Sequence, residues 1–181
     1  MNPYTYLLFD LDGTLLDFDA AEEQALTMTF QQYGIPLDSA MKRYYLDLNA
    51  RLWDAYEKGQ YDRDDIVRTR FKQVFETFHI EESGEAFGYA YQAALGMGHV
   101  CLPNAREVIS ALSKNYRMSI VTNGTAHTQY RRIEEAGLSS YFEHIFISDE
   151  IGYRKPMIEY FDYCLHKLND IPSDQILLIG D

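Results

Sequence analysis

Four short apolar runs, each stopping at a polar residue, constrain the fold of this chain more than any other feature. Tyr6-Leu7-Leu8-Phe9 stops at Asp10, and Met118-Ser119-Ile120-Val121 stops at Thr122. His144-Ile145-Phe146-Ile147 stops at Ser148, and Ile176-Leu177-Leu178-Ile179 stops at Gly180-Asp181. Short runs rich in Ile, Leu, Val and Phe read as strands buried on both faces. Helical patterns separate the later runs. Val108, Ile109 and Leu112 share one face, and Ile158, Phe161, Leu165 and Leu168 another. Gly137 closes a helix that begins near Ala126. Strand and helix in alternation predict an α/β fold, a parallel sheet covered by helices. Ligands of such sheets bind beyond the carboxyl ends of the strands, where the polar residues stand.

The stretch from Asp19 to about Leu102 breaks this alternation, because it holds no convincing strand. Asp19 with Glu22 predicts the start of a helix that Gly34 and Pro36 stop. Met41, Tyr45, Leu48, Leu52 and Ala55 form a second stripe, ended by Gly59. Asp62 opens a third helix with Val67, Phe71, Val74 and Phe78 on one face, and a shorter pattern runs through Phe87, Ala90 and Ala94. Gly96-Met97-Gly98 reads as a linker. The chain therefore divides into an α/β core, residues 1–18 and 103–181, and an inserted all-helical segment, residues 19–102. The aromatic residues of the insertion, Trp53 among them, are expected to form its core.

A chain of 181 residues suffices for one domain carrying a smaller insertion. Its formal net charge of -12, from 28 acidic and 16 basic residues, repels phosphate backbones and argues against nucleic-acid polymers as partners. No apolar run approaches the roughly 18 residues of a membrane span, and no basic stretch leads into an apolar one as in a signal peptide. Cys101 and Cys164 are too few for a disulfide framework and read as buried thiols in a cytoplasmic protein. The five histidines have no metal-site spacing.

The strongest local signal is Asp10-Leu11-Asp12-Gly13-Thr14, directly after the first strand. Two carboxylates held close at a strand end repel each other and favour a cation or a shared proton. Gly13 permits a tight turn in which Thr14 can hydrogen-bond. Thr122-Asn123-Gly124 offers a hydroxyl and backbone N–H groups near a helix start, suited to a phosphate oxygen. Lys155-Pro156 precedes the helix beginning near Met157, and its ammonium can serve phosphate as a point charge. Asp181 can supply a metal oxygen. Taken singly, Thr122 reads as part of a helix cap and Lys155 as a solvated lysine; their combination and order are what is specific.

That combination, Asp10-x-Asp12-Gly13-Thr14, then Thr122, then Lys155, then Gly180-Asp181, resembles the four motifs of the haloacid dehalogenase superfamily. The helical insertion resembles its type-one cap, and the core its Rossmann-like sheet. Phosphatases dominate that superfamily, and its dehalogenases generally lack the second carboxylate that Asp12 supplies here. Phe9 through Phe18, Leu52-Trp53 with Glu57-Lys58-Gly59, Arg70-Phe71 and Gly152-Tyr153-Arg154-Lys155-Pro156 are similar to the noncanonical pyrimidine 5′-nucleotidases. The resemblance implies Asp10 as nucleophile, Asp12 as general acid and base, and Thr122, Asn123 and Lys155 as phosphate holders. It also implies a magnesium ion on Asp10, Asp12 (through its backbone carbonyl) and Asp181, with a nucleoside monophosphate as substrate. A sugar-phosphate phosphatase or phosphomutase of the same fold, and a catalytically silent binding module, stay open. In the superfamily the last motif continues past the position of Asp181, so the natural protein is expected to be longer than this chain.

Overall fold

A computed structural model describes residues 3–180. Its sheet is built from β1 (Tyr6–Phe9), β2 (Arg117–Thr122), β3 (His144–Ile147) and β4 (Ile176–Ile179). The order is β3-β2-β1-β4, and every pairing is parallel. Phe9 lies opposite Ile120 on one side and Ile179 on the other, so β1 and β4 end level and β2 runs two residues further. The chain steps from β1 to β2 to β3 in one direction and returns to place β4 on the far side of β1. That reversal makes the carboxyl end of β1 the position where a doubly wound sheet opens a crevice.

Side-chain alternation along the strands divides the core into two layers. Leu7, Phe9, Met118 and Ile120 face a cluster with Ile133 and Leu138 and with Ile109 of α5 (Ala105–Leu112). Ile133 belongs to α6 (Ala126–Glu135). Tyr6, Leu8, Val121 and Phe146 face the other layer. There Tyr160 and Cys164 of α8 (Ile158–Lys167) cover them, joined by Leu168. The short α7 (Ser148–Ile151) follows β3 directly.

Only the inner strands are buried throughout. β1 is wholly buried and β2 exposes only Arg117, whereas β3 exposes His144 and β4 leaves Leu178 49% exposed. Among the described residues both outer strands are sheet edges, with a neighbour on one side only. Strand β3 still packs Ile145 and Phe146 into opposite layers, whereas β4 has no fully buried residue, so the expectation of burial on both faces fails for β4. Two helix stripes are rotated from the predicted ones. On α5 the buried residues are Ala105 and Ile109, and Val108 is exposed. On α8 they are Tyr160 and Cys164, while Phe161 and Leu165 are half-buried and Ile158 is 69% exposed. Ile109 and Leu168 are buried as expected, and on α8 the buried Tyr160 and Cys164 each lie one residue, about 100° around a helix, from Phe161 and Leu165.

The chain folds as two compact units, and residues Glu22–Leu95 make up the second. Its helices are the continuation of α1 (Phe18–Gln32), then α2 (Ser39–Glu57), α3 (Arg63–Thr77) and α4 (Gly84–Leu95). The cap of α1 is Asp17, not Asp19: its Oδ1 accepts from Ala20 N–H at 2.9 Å. Asp38 caps α2, accepting from the N–H groups of Ala40 and Met41. The interior is aromatic. Phe71 lies 4.6 Å from Phe87, 5.0 Å from Tyr91 and 5.1 Å from Tyr45, measured between ring centroids. Buried Tyr56 stands in the α2 stripe beside half-buried Ala55, and Trp53 is half-buried, edge-on to Tyr56. Helices α3 and α4 approach closely because Gly84 and Gly88 lack side chains. A Cβ on Gly88 would lie 2.4 Å from the Val67 carbonyl oxygen, and one on Gly84 2.3 Å from the Lys72 nitrogen.

Candidate active site

Asp10 is the first residue beyond β1, and its N–H still bonds the Ile179 carbonyl at 2.8 Å, extending the β1–β4 ladder by one rung. The next residue on β4 is Gly180, where an added Cβ would come within 3.0 Å of the Asp10 Cβ. Glycine there lets the end of β4 close against the carboxylate. Oδ1 of Asp10 accepts from the Leu11 N–H and from Lys155 Nζ, each at 2.7 Å. Oδ2 accepts no hydrogen bond among the described residues. Burial raises the Asp10 carboxyl above the ordinary aspartate range; Lys155 and the Leu11 N–H pull it back, and Asp12 adds to the rise.

The chain then turns sharply. Leu15 and Leu16 N–H groups both donate to the Leu11 carbonyl, and Gly13 takes a left-handed φ of 76° that an L side chain resists. The Thr14 hydroxyl, expected to bond within this turn, is buried without a partner among the described residues. Asp12 is held through both carboxylate oxygens. Arg132 Nη1 donates to Oδ1 at 2.5 Å and Gln129 Nε2 donates to Oδ2 at 2.9 Å. The same Gln129 amide donates to Thr122 Oγ1 at 2.8 Å.

Thr122 closes β2 and is buried, its N–H donating to the Tyr160 hydroxyl, which donates to the Phe146 carbonyl. Asn123 pairs its side chain with the backbone of Lys155: Nδ2 donates to the Lys155 carbonyl at 3.0 Å, and Oδ1 accepts from the Lys155 N–H at 2.9 Å. The contacts thus form a closed circuit, from Asp10 to Lys155, Asn123, Thr122, Gln129 and Asp12, and through Leu11 back to Asp10. Five of the six residues nominated from the sequence lie on it. The sixth, Asp181, lies outside the described residues.

The sequence reading did not nominate Gln129, Arg132, Asp149 or Tyr160. Asp149 Oδ2 accepts from the Ala126 N–H at 2.7 Å and so takes the first turn of α6, where Thr125 makes no side-chain cap. The signal for Gln129 and Arg132 lies in α6 itself. The helix is polar nearly throughout, with Ile133 its one buried aliphatic, so a core-facing stripe had to include Thr128, Gln129 and Arg132.

For a hard divalent cation the described residues offer the Asp10 carboxylate and the Asp12 backbone carbonyl, both oxygen donors. With about four lone-pair sites on its two oxygens, the half-buried Asp10 carboxylate has room for such an ion beyond its two hydrogen bonds. No cluster of three His, Cys, Asp or Glu side chains that could hold a metal occurs among the described residues, so the rest of a shell would come from Asp181, substrate and water.

A doubly wound sheet with paired aspartates at the carboxyl end of its first strand defines a class, and comparison with known proteins agrees. The chain belongs to the haloacid dehalogenase-like hydrolases, whose family model matches residues 4–181. It is 40% identical over its whole length to the HAD-hydrolase YfnB of Bacillus subtilis, covering 77% of that protein. The crystal structure of YfnB bound to magnesium, which reveals interdomain movement, matches 98% of this chain and 78% of its own with a TM-score of 0.92. The pyrimidine 5′-nucleotidase PynA of Streptococcus pneumoniae is 34% identical over 98% of this chain and 76% of its own. The pyrimidine 5′-nucleotidase YjjG of Escherichia coli is 30% identical over 98% of this chain and 77% of its own. No helix among the described residues is long and apolar enough to cross a membrane.

Proposed function

We propose that the chain is a magnesium-dependent phosphomonoester hydrolase that works through an aspartyl-phosphate, with pyrimidine nucleoside 5′-monophosphates as substrates. The observation that carries this reading is the asymmetry of Asp10. One oxygen is fixed by Lys155 and the Leu11 N–H, and the other is left open for bond formation. In the proposed reaction Oδ2 attacks phosphorus in line and the ester oxygen departs. Asp12 gives that oxygen a proton, then accepts one from the water that hydrolyses the aspartyl-phosphate. Lys155, the Thr122 hydroxyl and the Asn123 backbone N–H hold the phosphate oxygens. Bound to Asp10, the Asp12 carbonyl and Asp181, magnesium supplies the positive charge that lets a carboxylate meet a phosphate.

The core, residues 1–18 and 103–181, carries this chemistry, and the helical segment 19–102 is assigned to choosing the leaving group. The pyrimidine preference is supported by what PynA and YjjG are named for. A cytoplasmic location is part of the proposal, supported by two free cysteines. The test is a panel of pyrimidine nucleoside monophosphates and sugar phosphates assayed with and without magnesium. Pyrimidine nucleotides should lead in kcat/KM, and chelator should remove the activity. Hexose phosphates exceeding every pyrimidine nucleotide would move the enzyme to a sugar-phosphate reading.

A further inference from the structure

Arg132 is 1% exposed, buried to the same degree as much of the aliphatic core. A guanidinium cannot shed its charge, so burial demands a partner. Asp12 is the carboxylate it pairs with among the described residues. Its Nε donates to the Gly98 carbonyl at 2.7 Å, its Nη1 also reaches Gln129 Oε1 at 3.1 Å, and its Cζ lies 5.8 Å from the centre of the Phe18 ring. Gln129 completes the arrangement. Its oxygen takes Arg132 while its nitrogen is shared between Asp12 and Thr122. One turn of α6 therefore grips both oxygens of Asp12 and ties them to the end of β2 and to the Gly96–Gly98 segment.

We infer that Arg132 and Gln129 are positioning residues for Asp12, which they clamp in the orientation its proton transfers require. A buried Arg needs a counter-ion but does not need that counter-ion to be Asp12. Gln129 also holds the Thr122 hydroxyl, but Arg132 bonds none of the phosphate holders, so the loss of Arg132 has a distinctive signature. Release of a poor leaving group, which must be protonated, slows. Release of an activated aryl leaving group, which departs as a stable anion, does not.

The inference rests on the proposed phosphatase reading, and the experiment separates the two. Pre-steady-state release of the leaving group is measured for Arg132→Met, Arg132→Lys and Gln129→Leu, with a nucleoside monophosphate and with an activated aryl phosphate. Misplacing a catalytic group by about an ångström costs about 10²-fold. Arg132→Met should lose about that much on the nucleotide with little change in KM or in the aryl release rate. Arg132→Lys should fall between it and the wild type. In an Asp12→Asn background Arg132→Met should cost nothing further, because the group it positions is already gone. Should Arg132→Met fail to fold, Arg132→Lys should still show the leaving-group pattern, while Gln129→Leu, which also frees the Thr122 hydroxyl, should add a rise in KM. Equal losses on both esters, or full additivity with Asp12→Asn, would overturn the clamp. A wild-type chain that turns over neither ester overturns the phosphatase reading and the clamp with it.

Discussion

At the amino ends of the strands Arg117 binds Glu143 through Nε and Nη2 and Asp170 through Nη1, with its Cζ 5.3 Å from the centre of the Tyr6 ring. Arg117, Glu143 and Asp170 each have an opposite partner in solvent reach, and both carboxyls are held below their usual range by hydrogen bonds from Arg117. At the carboxyl ends the balance is reversed. Asp10 is raised by burial despite Lys155, and one of its oxygens stands open. Arg132 is buried and shares its carboxylate with Gln129. One end of the sheet relaxes its charges and the other keeps them under tension. Electrostatics that stabilise a fold are satisfied, and electrostatics available for chemistry are not.

The largest effect should come from the tense end. Asp10→Asn should leave a folded protein with no measurable phosphatase turnover, checked by circular dichroism and steady-state assay together. Asp12→Asn should lose roughly 10²–10⁴-fold on nucleotides, the usual worth of positioned acid–base help. Turnover of Asp10→Asn at the wild-type rate would erase the distinction between the two ends.

The relaxed end should behave oppositely. Arg117→Ala should leave turnover unchanged and lower Tm by only about 2–4 °C, because exposed ion pairs contribute little. The pH dependence has a definite sign. Glu143 and Asp170 have lowered pKa values when folded, so the stabilisation they give is full above the free-carboxylate range. It is lost as pH falls through the lowered folded values. Thermal melts of Arg117→Ala and wild type should therefore differ most near neutrality and converge in acid. A gap that stayed constant into acid would show that Arg117 acts mainly by packing on Tyr6.

The strands were legible because four-residue apolar runs, each ended by a polar residue, leave few other readings; β1, β3 and β4 match their runs to the residue. Which strands form the edges was not legible, since strand order is a property of long-range pairing. His144 and Leu178 were therefore misjudged as buried. The helix starts were half legible: Asp62 stands before α3 as expected, though without a side-chain cap bond, whereas Asp19 was chosen over Asp17 two residues away and the Asp38 cap was not singled out. At the site, Asp10 and Asp12 stood out because paired carboxylates at the end of a buried strand are costly without a purpose, and Thr122 and Lys155 entered only through their combination and order with them. Gln129 and Arg132 did not, because polar residues on a helix ordinarily face water. Only knowing that α6 covers the sheet turns them into core residues.

The account turns on Asp10 as the residue that carries the phosphoryl group. Its most direct test is an acid quench during turnover of a nucleoside monophosphate with magnesium, followed by peptide mass mapping. The account predicts one phosphoryl group on the peptide containing Asp10, removable by hydroxylamine and absent from Asp10→Asn. A phosphoryl group on any other residue, or sustained turnover with Asp10 never modified, would contradict it.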